Sequence, residues 1–67
     1  MELARVILTG EQKNLNRFIK EWWKVGEEGE PPVIEEGMDI ALVIPERTTS
    51  GLVAMADMFH LETYFLN

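Results

Sequence analysis

Three features of the 67-residue sequence predict a small α/β domain with the element order β-α-β-α-β. A strand-like segment precedes a strongly amphipathic helix, an unbroken apolar run lies in the middle of the chain, and a β-forming segment ends it. Strands that alternate with helices are typical of parallel sheets. We therefore expect a single domain over residues 1–67, with a three-stranded, mostly parallel sheet and two helices.

The first strand and the first helix are predicted from the types and spacing of their apolar residues, which differ between the two segments. Residues 3–9 contain the β-favouring run Val6-Ile7-Leu8 and end at Thr9-Gly10. Over residues 11–25 the apolar side chains recur with the helical period and fall on one face. These core-facing residues are Leu15, Phe18, Ile19 and Trp22. The opposite side carries a basic stripe formed by Lys13, Arg17, Lys20 and Lys24.

The middle of the chain is predicted to be a connection followed by a buried strand. Residues 27–37 are rich in Glu, Gly and Pro, and Val33-Ile34 is the part expected to reach the core or a sheet edge. The apolar run Ile40–Ile44 then suits a central strand that is covered on both faces, as in parallel sheets. Pro45 closes this strand.

The last third of the chain allows two interpretations. Hydroxyl residues at Thr48–Ser50 are suitable caps for a helix from Leu52 to about Met58. We expect this helix to break near His60, since His tolerates left-handed backbone and residues 62–66 are rich in β-formers. The alternative is β-α-β-α, with one long C-terminal helix.

Composition limits the class of protein. A net charge of −6 disfavours direct binding to nucleic acid or anionic lipid, and no apolar run is long enough to span a bilayer. The chain has no cysteine, which removes disulfides and Cys-ligated metals. A cytoplasmic location is the default expectation, and no cofactor or metal is predicted. A core this small favours a homo-oligomer, most simply a homodimer.

An acidic segment, residues 27–39, follows the basic helix and is the main candidate for partner binding. From Val25 to Glu46 there is no Lys or Arg. The segment could be a solvating linker, a docking surface that includes mimicry of a nucleic-acid backbone, or a metal site; the oxygen-ligand pattern of a Ca²⁺ loop is absent. Trp23, next to Trp22 on the helix, is expected to be half exposed, and either packs against Pro31-Pro32 or forms part of an interface. The predicted partner-binding residues are Glu27, Glu28, Glu30, Glu35, Glu36, Asp39 and Trp23.

The turn before the second helix is a second candidate site. A buried strand, a hydroxyl-rich turn and a helix N-terminus together resemble the way α/β proteins bind phosphate. The predicted anion-binding residues are Arg47, Thr48, Thr49, Ser50 and Gly51. Ordinary helix capping by the same hydroxyls is the competing interpretation.

Enzymatic activity is not predicted. His60 is the only histidine, and no nucleophile motif or paired-acid signature is visible. A pairing of His60 with Ser50 would require the fold to bring them together. The sequence therefore favours a small, acidic, non-enzymatic protein–protein interaction module, of the inhibitor or nucleic-acid-mimic type, with a basic-surfaced protein as partner. The alternative is a phosphate- or nucleotide-binding module that uses Thr48–Gly51.

The arrangement of the two helices distinguishes these hypotheses. If both helices pack on the same face of the sheet, the other face is left as a bare apolar surface for a second subunit or partner. If they pack on opposite faces, the strand ends form a crevice where a small ligand could bind. The first arrangement is the one we expect.

Overall fold

The elements follow the predicted order. A computed structural model describes residues 2–26 and 29–66. It contains strand β1 (Leu3–Thr9), helix α1 (Gln12–Gly26), strand β2 (Ile40–Pro45), helix α2 (Thr49–Met58) and strand β3 (Glu62–Leu66). A short 3-10 helix at Glu46–Thr48 leads directly into α2. The alternative with one long C-terminal helix is wrong, because β3 follows α2 as a separate strand.

The sheet is antiparallel, so the prediction of a mostly parallel sheet is wrong. The strand order is β2-β1-β3, with β1 in the centre. Leu8 lies opposite Ile40 and Leu3 opposite Pro45, so β2 runs antiparallel to β1. Thr9 lies opposite Glu62 and Arg5 opposite Leu66, so β3 is antiparallel as well. Both outer strands therefore begin beside the end of β1.

The connection between α1 and β2 explains the strand direction. A parallel β2 would start near the end of α1 after about 2–6 residues. Residues 29–39 instead return along the helix, and Ile34 is hydrogen-bonded to Gln12 and Asn16 in the first turns of α1. The chain therefore enters β2 at the end of the sheet where β1 finishes. The length of this connection is a sequence signal that favours the antiparallel arrangement.

Both helices pack on one face of the sheet, as expected. A single core is formed by the inward side of β1 and β2, by α1 and α2, and by two residues that lie outside these elements. Its buried members are Val6, Leu8, Leu15, Phe18, Ile19, Ile34, Ile40, Ile44, Leu52, Ala56 and Leu61. Phe18 is fully buried, stacks on Trp22 with ring centroids 5.8 Å apart, and meets Phe59 edge-on at 6.3 Å. The opposite face of the sheet has no covering element among the described residues.

The apolar run Ile40–Ile44 forms an edge strand, not a central one. Ile40 and Ile44 are buried under the helices, whereas Ala41 and Val43 point to the uncovered face and are exposed. The interpretation of this run as a strand covered on both faces is therefore wrong for the single chain. Strands β2 and β3 do run parallel to each other, but β1 lies between them.

Helix α2 ends at the predicted break. His60 has a φ of 58°, the left-handed conformation that terminates many helices. The amide of Leu61 donates to the carbonyl of Ala56, and that of His60 to the carbonyl of Asp57, at 2.9 Å and 3.1 Å. This pattern is a Schellman motif, and it turns Leu61 into the core. Although the sequence of α2 is apolar almost all round, which predicts deep burial, Val53 and Met58 are exposed, so that prediction is wrong.

Candidate interaction surfaces

The uncovered face of the sheet is an apolar surface that the described part of the chain leaves open. Side chains directly opposite each other in antiparallel strands point to the same side, so the register defines this open face. Its three rows are Val43–Arg5–Leu66, Ala41–Ile7–Tyr64 and Thr9–Glu62, with Leu3 at the end of β1. Leu3, Val43, Tyr64 and Leu66 are 64%, 62%, 51% and 51% exposed.

Two opposite charges interrupt the open face, one toward each end. Arg5 lies in the central strand between Val43 and Leu66, and it has no ion-pair partner among residues 2–26 and 29–66. Glu62 lies two rows away at the start of β3 and accepts a hydrogen bond from the Tyr64 hydroxyl. This hydrogen bond, with the negative charge of Glu62, raises the pKa of Tyr64 above its ordinary value. Tyr64 thus fixes the Glu62 carboxylate on the open face.

The acidic segment lies away from the open face and is exposed. Glu30, Glu35, Glu36 and Asp39 are all exposed, and none of them forms an ion pair within the described part of the chain. The predicted residues Glu27 and Glu28 lie outside the described residues. Glu36 and Asp39 line a shallow depression together with Glu11 at the N-terminal end of α1. The structure therefore brings part of the predicted set together at one end of the helix.

An asparagine that the sequence analysis did not single out anchors the acidic segment. The Asn16 side chain accepts a hydrogen bond from the Ile34 amide at 2.7 Å and donates to the Ile34 carbonyl at 3.0 Å. Gln12 donates to the same carbonyl at 3.1 Å. Ile34 is 5% exposed, whereas neighbouring Val33 is 76% exposed. Asn is a poor helix former, so its presence inside α1 is a sequence signal that its side chain makes a specific hydrogen bond.

The basic stripe faces solvent and borders a groove. Lys13 pairs with Glu11 at 3.7 Å and Lys24 with Glu21 at 3.2 Å, both exposed pairs within the helix region. Arg17 and Lys20 form no ion pair with any described acid. A groove of about 580 Å³ runs along this side of α1. It is lined by Arg17, Lys20, Glu21, Trp23, Lys24, Gly29, Pro31 and Phe59.

Trp23 lies in this groove and is partly buried. It packs against the core cluster and shares the groove with Pro31. Its indole Nε1 is buried and has no hydrogen-bond partner among the residues that the structure describes. The structure thus separates Trp23 from the acidic residues near the start of α1, although the sequence predicts that all of them bind one partner.

The predicted anion-binding turn uses its hydroxyls internally. Thr48 Oγ1 donates to the Pro45 carbonyl and Thr49 Oγ1 to the Glu46 carbonyl, each at 2.8 Å. The Thr49 amide also donates to the Glu46 carbonyl, because the 3-10 helix runs directly into α2. Arg47, Ser50 and Gly51 are exposed around this turn. The local structure corresponds to an internally hydrogen-bonded helix start.

The residues that could support catalysis are far apart. Ser50 lies in the first turn of α2 and His60 just beyond its last residue, which separates them by about 15 Å along the helix axis. Within residues 2–26 and 29–66, no three His, Asp or Glu side chains are arranged to hold a metal ion. Neither helix in the same part of the chain has the length and apolar character needed to cross a membrane.

Comparison with known proteins adds no family to this description. Searches against models of protein families, curated proteins and solved structures return no match.

Proposed function

We propose that this chain is a small, non-enzymatic protein-interaction domain whose acidic segment binds a basic surface on a partner protein. The acids Glu30, Glu35, Glu36 and Asp39 are exposed and unpaired within the described residues. Charged side chains without internal partners remain free to pair with charges on another molecule, and a one-sign surface accelerates such association.

The observation that carries the proposal is the anchoring of the acidic segment by Asn16. Because Ile34 is fixed on both its amide and its carbonyl, the neighbouring acids Glu35 and Glu36 are presented from a held backbone. A turn at Glu35–Met38, closed by a hydrogen bond of 3.0 Å, holds the following residues as well. A preorganised acidic surface loses less conformational entropy on binding than a flexible linker does.

The type of partner follows from charge. A protein that presents Lys and Arg at phosphate-like spacing, such as a nucleic-acid-binding protein, would offer the complementary surface. An inhibitor that occupies such a site in place of the nucleic acid is the specific form of the hypothesis. The phosphate-binding alternative at Thr48–Gly51 receives no support from the turn, where the hydroxyls of Thr48 and Thr49 already donate to backbone carbonyls.

Affinity capture with neutralised variants tests the proposal. One variant carries Glu30→Gln, Glu35→Gln, Glu36→Gln and Asp39→Asn. A matched control loses four other exposed acids through Glu2→Gln, Glu21→Gln, Glu46→Gln and Asp57→Asn. We expect partners captured from the native host by the wild type and by the control to be lost with the first variant, and to elute at raised salt. Equal recovery with both variants would contradict the proposal.

A further inference from the structure

We propose that the open face of the sheet binds the same face of a second copy of this chain. The face is apolar in all three strands, with Ile7 at its centre between Ala41 and Tyr64. Exposed contiguous apolar surface of this kind marks an interaction site. This inference concerns a surface other than the acidic segment and does not depend on the proposed partner.

The positions of Arg5 and Glu62 select a second copy as the occupant. Any protein that covers the open face must supply an anion for Arg5, because a cation buried without a partner is strongly destabilising. Glu62 is the anion that the face itself carries. Arg5 lies opposite Leu66, and Glu62 is four residues before Leu66 in β3, about 13 Å away along the strand. Within one chain the two groups do not pair.

Consider a two-fold axis that lies midway between the two sheets, above Ile7, and runs across the strands. This axis brings Arg5 of each protomer close to Glu62 of the other. It places Arg5 of one protomer over Thr9 of the other, and Glu62 is the direct cross-strand neighbour of Thr9. Stacked sheets lie about 10 Å apart, a gap that an Arg and a Glu side chain can bridge. An axis parallel to the strands would instead place Arg5 over Arg5, which repels. The self-complementary arrangement is therefore the one with antiparallel strands across the interface.

The size of the face predicts a reversible dimer. Strands of seven, six and five residues, spaced about 4.8 Å apart, form a face of about 15 by 20 Å. Two such faces cover about 600 Å² in total as flat areas and bury somewhat more accessible surface, which is below the usual size of a stable specific interface. Monomer and dimer should thus exchange, and the Arg5–Glu62 pairs would fix the relative orientation of the protomers.

A charge swap followed by sedimentation equilibrium tests the inference. Arg5→Glu or Glu62→Arg alone should raise the dissociation constant of the dimer at least tenfold, because each change places like charges together. The double variant Arg5→Glu/Glu62→Arg should return to within about threefold of the wild type. Lys20→Glu and Glu35→Arg make the same changes of charge away from the open face and should leave the constant unaltered.

A second substitution separates loss of the interface from loss of the fold. Val43→Lys adds a cation on the open face of an edge strand, where the side chain is exposed, and should also weaken the dimer while circular dichroism stays unchanged. A chain that remains monomeric at every concentration would overturn the inference. A dimer that is insensitive to both single reversals, as expected for pairing through strand edges, would overturn it as well.

Discussion

The Asn16 side chain makes the two backbone hydrogen bonds to Ile34 that a neighbouring strand would otherwise make. Its amide group makes two hydrogen bonds to the backbone of Ile34, whose side chain is buried in the core. Removing the Asn16 side-chain amide would take one hydrogen-bond partner from the backbone N–H of Ile34 and one from its carbonyl. Leaving a buried polar group unsatisfied costs about 1–3 kcal/mol.

We therefore expect Asn16→Ala to lower the free energy of unfolding by about 1–3 kcal/mol in urea denaturation. Asn14→Ala is the matched control, since the Asn14 side chain makes no hydrogen bond within the described residues and lies on the same helix. Equal stability of the two variants would show that the anchor does not hold the acidic segment.

His60 is the residue where the backbone conformation itself restricts the side chain. Left-handed backbone costs an L-residue roughly 1–2 kcal/mol, and glycine avoids this penalty. We expect His60→Gly to leave the free energy of unfolding unchanged or raise it by up to about 1 kcal/mol. His60→Val should lower it by about 1–2 kcal/mol, because β-branched residues fit this region worst. Thermal unfolding of the three proteins gives the order, and equal values for Val and His would contradict it.

At the scale of elements, the basic stripe of α1 forms no ion pair with the described part of the acidic segment. Neither Arg17 nor Lys20 contacts a described acid closely enough to form an ion pair. The double reversal Arg17→Glu/Lys20→Glu should thus change the free energy of unfolding by no more than about 0.5 kcal/mol. Lys13→Glu/Lys24→Glu, which breaks two exposed pairs, is the reference in the same denaturation series. A loss well above that of the reference would mean that the acidic segment neutralises the stripe.

The elements themselves were predictable because each has a local signal. The alternation around Val6 and the helical period of Leu15, Phe18 and Ile19 describe β1 and α1 without reference to the rest of the fold. The left-handed break at His60 was also predictable from residue preferences. The direction of β2 was not, because it depends on the path of residues 29–39, which Asn16 holds through a contact with Ile34 that is distant in sequence.

The candidate surfaces were predictable only in part. Exposure of Glu30, Glu35, Glu36 and Asp39 follows from their composition, and the expectation of one bare sheet face followed from the small number of elements. The apolar run at Ile40–Ile44 predicts a central strand, which is wrong because a single sequence does not show which neighbour covers which face of a strand. The importance of Arg5 and Glu62 appears only once the register between β1 and β3 is known.

For the whole molecule, the fold separates two surfaces with different chemistry. The helical side carries a fixed acidic segment and a basic stripe, and the sheet side is apolar with one cation and one anion. A chain of 67 residues has a small core, so covering the open face would add stability by mass action. We expect the midpoint of urea unfolding to rise with protein concentration in the wild type and to be nearly constant in Arg5→Glu.

Amide NMR spectra recorded over a dilution series test this separation of surfaces most directly. From millimolar to low-micromolar protein, the amides of Arg5, Ile7, Val43 and Tyr64 should shift together along one binding curve, while those of Glu35, Glu36 and Asp39 stay in place. Shifts confined to the acidic segment or the helices, or no concentration dependence at all, would contradict the assignment of the open face as the surface between two copies.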